Sequence, residues 1–113
     1  MISEKEYVAL LNGNVTPSQG IIDNYMIKGK VFDTPERVND GFGQRPQRAI
    51  TEYTVLNEAG GCLSWVLFSP HTGRTHQLRL HSAYSLNAPI VGDDLYGYDK
   101  PIACGLDSVL MTN

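Results

Sequence analysis

No stretch restricts the folding of this chain more than Phe68 to Tyr98, where chain breakers punctuate the sequence at short intervals. Phe68-Ser69-Pro70 predicts the end of a strand, Thr72-Gly73 a tight turn, and the run beyond it a helix reaching about Leu86, where Asn87 and Pro89 stop it. A glycine-bracketed loop, Val91 to Gly97, follows. Two guanidinium groups, Arg74 and Arg79, and all three histidines, His71, His76 and His81, fall on this one element. Such crowding of cationic and hydrogen-bonding side chains needs a chemical reason.

A length of 113 residues suits one small domain or a piece of one. Nine Lys and Arg against twelve Asp and Glu give a net charge of −3, which by itself argues against a nucleic-acid partner. The distribution alters that. Residues 28 to 81 hold seven basic side chains (Lys28, Lys30, Arg37, Arg45, Arg48, Arg74 and Arg79) and five acidic ones, while Asp93, Asp94, Asp99 and Asp107 face only Lys100. A weakly positive middle in an acidic whole suits local contact with an RNA backbone, without demanding it. Apolar content of 42% and charge of 19% exclude a disordered chain. No apolar run approaches membrane-spanning length and the first residues lack the layout of a signal peptide, so no membrane is expected. Cys62 and Cys104 form no Cys-x-x-Cys pair and are expected to be reduced, in a cytoplasmic setting, or in an organelle if a presequence was removed.

Tyr7 to Leu11 is apolar on both faces and closed by Asn12-Gly13-Asn14, which predicts a central, covered strand. In such a strand Tyr7 reads as a core aromatic. Gly20 to Ile27 predicts a second strand, paired with the first. Residues 28 to 48, interrupted by Gly29, Pro35, Gly41, Gly43 and Pro46, predict a long irregular connection. It is either a solvated loop or one that places Arg37, Arg45 and Arg48 on phosphates. Ala49–Leu56 and Gly61–Ser69 predict an antiparallel hairpin across Asn57 to Gly60, with Trp65 in the core. The fold class is α+β: a mostly antiparallel sheet with one main helix, in a single domain over 1–113.

On that helix Arg74 and Arg79, five residues apart, lie about 140° around the axis and share no face. One can enter a pocket while the other meets solvent or phosphate. His71, His76 and His81 are also five apart, whereas helical metal ligands want three or four, so no metal is expected. The histidines are expected to bond the turn and helix in place, with His76 or His81 near RNA.

The run Thr72-Gly73-Arg74-Thr75-His76-Gln77-Leu78-Arg79-Leu80-His81, followed by Ala88-Pro89-Ile90-Val91-Gly92-Asp93-Asp94-Leu95-Tyr96-Gly97, resembles the C-terminal motif of the RluA-type RNA pseudouridine synthases. Glu4-Lys5-Glu6-Tyr7-Val8-Ala9 resembles that family's Lys-x-Tyr-x-Ala segment. The family's His-Arg-Leu-Asp motif, which carries the catalytic aspartate upstream of that segment, has no counterpart in these residues. Pro101 to Asn113 also departs from the family, whose Leu-His-Ala pattern it lacks.

The resemblance implies an enzyme that isomerises uridine to pseudouridine in RNA, ribosomal or transfer, with no metal or cofactor. Such chemistry needs a carboxylate at C1′, a cation to keep it ionised and placed, and an aromatic ring to hold the loosened base. It implies that Arg79 pairs with the catalytic aspartate and Tyr7 stacks on the uracil. Arg74 and His76 would then serve the turn or the RNA, and Asp93 and Asp94 would be structural. A separate N-terminal half carrying the aspartate becomes an expected partner, and the chain alone is expected to be inactive and marginally stable. It would have an open sheet edge, an exposed apolar face and an Arg79 without its acid. The alternative is a non-catalytic RNA-binding module or an inactive fragment.

Overall fold

The longest strand pairing comes from a local instruction. Gly60 and Gly61, at φ 66° and 73°, reverse the chain between β4 (Gln47–Ala59) and β5 (Leu63–Pro70), in backbone conformations that favour glycine. In this computed structural model, which describes residues 5–36 and 43–97, that hairpin is the centre of one antiparallel sheet. β1 (Tyr7–Asn12), β2 (Gln19–Ile27) and β3 (Lys30–Phe32) complete it in the order β1-β5-β4-β2-β3. The hairpin turn sits later than the sequence predicts because Asn57–Ala59 stay paired with Leu63–Trp65, the extra residue being absorbed by a bulge between Val55 and Asn57.

A helix lies on one face. Its α-helical part, α1 (Gln77–Leu80), runs into a π-helical turn, His81–Ser85, which ends where Asn87 turns left-handed at φ 53°. The core between helix and sheet gathers Leu11, Val15, Ile22, Tyr53, Val66, Phe68 and Ala88. A smaller cluster of Met26, Ala49 and Leu80, with Val31 and Tyr96 against it, lies towards β3. The α+β class with a mostly antiparallel sheet and one helix is therefore as the sequence implies.

Several expectations are corrected. Tyr7–Leu11 is the edge strand of the described sheet, paired with β5 on one side and meeting only a short bridge, Leu11 to Ile90, on the other, and Tyr7 and Val8 are exposed. β2 pairs with β3 and β4, not with β1, because the hairpin strands come between them. Residues 28 to 48 are not all irregular: Lys28 and Gly29, both with positive φ, form the two-residue turn of a β2–β3 hairpin. Trp65 is 41% exposed, since it alternates with buried Ser64 and Val66 and faces away from the helix. Together with Val8, Ile21 and Leu56 it leaves apolar surface in the open. Cys62, expected to be a free thiol, is disulfide-bonded. Cys104, the segment Pro101–Asn113 and Arg37 lie outside the described residues.

Candidate functional site

One end of the sheet collects the side chains singled out above. β1 begins there with Tyr7, β5 ends there at Pro70, β4 begins at Gln47 and β2 ends at Ile27. The chain leaving β5 turns through Thr72 to His76 before the helix starts. His76 itself is left-handed, at φ 55° and ψ 29°, so the helix cannot begin earlier than Gln77. Arg74 is thus a turn residue, and the angular comparison with Arg79 does not apply to it.

Buried Gln77 builds that turn. Its side-chain oxygen accepts hydrogen bonds from Thr72 Oγ1 at 2.7 Å and from the Arg74 backbone N–H at 3.0 Å. Its amide nitrogen donates to the Ile50 carbonyl at 3.0 Å and to Thr51 Oγ1 at 2.9 Å. One side chain therefore ties turn to sheet with four bonds. Arg74 adds two more, from Nε to the Arg48 carbonyl at 2.8 Å and from Nη1 to Gln47 Oε1 at 2.9 Å.

The network continues under the helix. Thr51 Oγ1, which accepts from Gln77, also stands 2.7 Å from His81 Nδ1. Asn24 Oδ1 can only accept, so the other ring nitrogen, Nε2, donates to it at 2.7 Å, and Asn24 donates onward to Ser85 Oγ at 3.0 Å. With the proton on Nε2, a neutral ring leaves Nδ1 to accept from the Thr51 hydroxyl. Burial pushes its pKa down to about 4, with a smaller upward pull from Asp23. The expectation that histidines bond turn and helix in place holds at His81.

Arg79 does not wait for an acid. Its Nε and Nη2 meet the two oxygens of Asp93 at 3.1 and 2.5 Å, and Asp94 stands at 3.4 Å. This corrects the uncompensated cation inferred from sequence: the glycine-bracketed loop folds back and supplies the carboxylate. The structural reading of Asp93 is as expected, because its Oδ1 also accepts the backbone N–H groups of Leu95 and Tyr96. The Arg79 hydrogen bond first, then those two backbone donors, hold the Asp93 pKa near 2 against its burial, and Asp93 in turn raises that of Arg79. The ring of Tyr96 lies 5.2 Å from the guanidinium carbon, and its hydroxyl is 3.0 Å from His76 Nδ1.

Two hollows flank this turn. The smaller, about 270 Å³, is lined by Tyr7 and Arg79 together with Pro70, Thr72, Gly73, Arg74, His76, Gln77 and Leu78. Both side chains predicted for the chemistry therefore share one cavity. The larger, about 860 Å³, lies across Gly73, Arg74 and His76 and takes in Lys28 and Arg45. Arg48 lines neither: its exposed guanidinium grips Asp23 through two bonds of 2.9 and 2.6 Å. His71 pairs with Glu52 at 2.7 Å. No group of three or more His, Cys, Asp or Glu side chains placed to hold a metal ion occurs among the described residues.

Sequence reasoning did not find Gln77, Thr51, Asn24 and Tyr96. A glutamine between Thr72 and Leu78 carries little signal of burial, and its partners on β4 come from more than twenty residues away.

The model of the RNA pseudouridylate synthase family matches residues 3–84, which include both Tyr7 and Arg79. The chain belongs to the RNA pseudouridylate synthase family. Curated pseudouridine synthases agree. An uncharacterised RNA pseudouridine synthase of Zymomonas mobilis is 42% identical over 101 residues, covering 86% of this chain and 43% of that protein. Ribosomal large subunit pseudouridine synthase D of Borreliella burgdorferi is 38% identical over 95 residues, 84% of this chain and 28% of its own length. The mitochondrial RNA pseudouridine synthase 3 of Arabidopsis thaliana is 41% identical over 100 residues, 83% and 20% of the two chains. Among solved structures, human RNA pseudouridylate synthase domain containing 4 superposes with a TM-score of 0.67 at 30% identity, over 88% of this chain and 40% of that one. The chain thus spans less than half the length of these relatives, and its motifs are those of the RluA type.

Proposed function

We propose that residues 1–113 form the C-terminal portion of a pseudouridine synthase catalytic domain acting on RNA, ribosomal or transfer, and supply Arg79 and Tyr7 to its active site. The observation that carries this reading is the shared hollow, which sets a cation and an aromatic ring around a space suited to one base. The reaction breaks the bond from C1′ to N1, turns the uracil and joins C1′ to C5. The C5 proton leaves and N1 gains one. Tyr7 stacks on the freed ring, and Arg79, its Nε and Nη2 fixed by Asp93, turns its remaining donor edge to a carboxylate at C1′. That carboxylate comes from an aspartate-bearing segment outside these residues, as part of the same protein or as a separate half. The target base must first leave its stack, which costs a few kcal/mol and favours loops. Arg74, His76 and Arg45 contact the RNA. No metal or other cofactor takes part.

The substrate implies the cytoplasm or an organelle that holds RNA, and mitochondrial relatives exist. No described helix is long and apolar enough to cross a membrane. The disulfide at Cys62 is the one described feature that fits a strongly reducing compartment poorly.

A second reading, an RNA-binding module without turnover, draws on one observation: Asp93 already neutralises Arg79. The two separate in an assay for release of C5 hydrogen from uridine in RNA, run on the chain with and without an aspartate-bearing N-terminal half. Turnover that needs the added half and disappears with Arg79→Ala supports the enzyme. RNA binding with no turnover in any combination supports the module.

A further inference from the structure

The larger hollow has a composition that the chemistry at Tyr7 and Arg79 does not explain. The protein carries a net charge of −3, yet among the described residues the walls of this groove hold Lys28, Arg45 and Arg74 and no Asp or Glu. Its floor is apolar, with Met26 and Leu80 from the smaller core cluster and the ring of Tyr96 beside them. A cationic rim over an apolar and aromatic floor suits a single nucleic-acid strand, with phosphates on the rim and ribose or base on the floor.

The backbone holds these charges in place. Lys28 is the first residue of the two-residue turn between β2 and β3, fixed by φ values of 52° at Lys28 and 73° at Gly29. Arg74 is moored at two nitrogens to the start of β4. Arg45 approaches from the irregular segment just before β4 and is exposed. The groove meets the smaller hollow along Gly73, Arg74 and His76, which line both. A nucleotide seated against Tyr7 therefore has its neighbour delivered to the groove by the continuity of the strand.

We propose that this groove, between the Lys28-Gly29 turn and the Arg74–His76 wall, is the track for the sugar-phosphate backbone of the RNA nucleotides adjoining the target uridine, with Lys28 and Arg45 as phosphate contacts. The proposal rests on the functional reading above and adds which part of the RNA goes where. It also predicts that binding strengthens with strand length beyond the target nucleotide, since a lone nucleotide reaches only the smaller hollow.

The test is fluorescence anisotropy with uridine-containing single-stranded RNAs of roughly three to roughly nine nucleotides, titrated at several salt concentrations. The protein is the full chain, with the double variant Lys28→Asn/Arg45→Gln for comparison. Asn tolerates the left-handed backbone at position 28, and an unchanged circular dichroism spectrum and melting midpoint establish that the variant folds. The expected result is that the wild type gains affinity with length while the double variant loses most of that gain. About tenfold weaker binding to the longest RNA is expected, with a salt slope smaller by about 1.4 for two single-strand phosphate contacts. If the variant keeps the wild-type length gain and salt slope while RNA still binds, the groove assignment is overturned and the functional reading survives. If no RNA of any length binds at low salt, both are overturned.

Discussion

The side chains of Thr51 and His81 meet at 2.7 Å across the interface between sheet and helix, with the hydroxyl as donor and the imidazole as acceptor. Protonation of His81 would place a charge in this buried site and make the Thr51 hydroxyl turn its proton away from the ring. Its pKa falls from the ordinary 6.5 to about 4 on folding, so the unfolded chain binds the proton more tightly than the folded one. The stabilisation is whole above about pH 6.5 and is lost progressively as pH drops towards 4, by up to about 3 kcal/mol. Urea midpoints measured across this window should fall with pH in the wild type. In His81→Gln the fall should be absent over the same window, and an unchanged slope would sink the assignment.

Removing Gln77 should cost more than its polar character suggests. Gln77→Leu strips four partners at once and leaves the Arg74 N–H and the Ile50 carbonyl short of a bond. A loss of about 3 kcal/mol is expected, read by urea denaturation. A loss below about 1 kcal/mol would mean that the turn is held by something else.

Asp93→Asn and Asp93→Ala should differ. The amide keeps Oδ1 as acceptor for the N–H groups of Leu95 and Tyr96, and loses the charge and the one acceptor facing Nε of Arg79, whose side chain is 31% exposed. The Asn variant should therefore lose about 1 kcal/mol, shrinking as salt is raised. The Ala variant should lose about 2 kcal/mol or more, with less dependence on salt. Equal losses with equal salt dependence would refute the division between capping and ion pairing.

Tyr7 tests whether an exposed aromatic has a use. With 45% of its surface exposed, Tyr7→Ala should change stability by no more than about 0.5–1 kcal/mol. Turnover by the chain supplied with an aspartate-bearing half should nevertheless fall by roughly two orders of magnitude or more, the penalty expected for misplacing the base. Tyr7→Phe, which keeps the ring, should retain most activity. A large stability loss in Tyr7→Ala with turnover intact would return this residue to a structural role.

Trp65 is the single tryptophan of the chain and reports the open face of the sheet without labelling. At low concentration its emission should be that of a half-exposed indole and accessible to acrylamide. If the surface formed with Val8, Ile21 and Leu56 self-associates, the emission should move to shorter wavelength as concentration rises. A spectrum independent of concentration would show that this face stays monomeric.

The same residues show how much of the molecule could be read in advance. Local signals carried well: Pro70 and Asn87 bound the elements they were expected to bound. Lateral order did not. An edge strand whose outer face is open has the same two-sided apolar pattern as a central one, so Tyr7–Leu11 and Trp65 were both placed too deep. Partners separated along the chain were invisible as well. Asp93 lies fourteen residues past Arg79 and reaches it only because its loop doubles back, and Asp23 claims Arg48 across β2 and β4. Charge counts give the supply of cations and acids but not their pairings.

The wall from Gly73 to His76 is common to both hollows. Grip on the strand and placement of the base therefore share one stretch of backbone, and no change there can tune the first while sparing the second. Adaptation to a different RNA would have to come through Lys28 and Arg45, on the far bank, where sequence can drift without disturbing the chemistry.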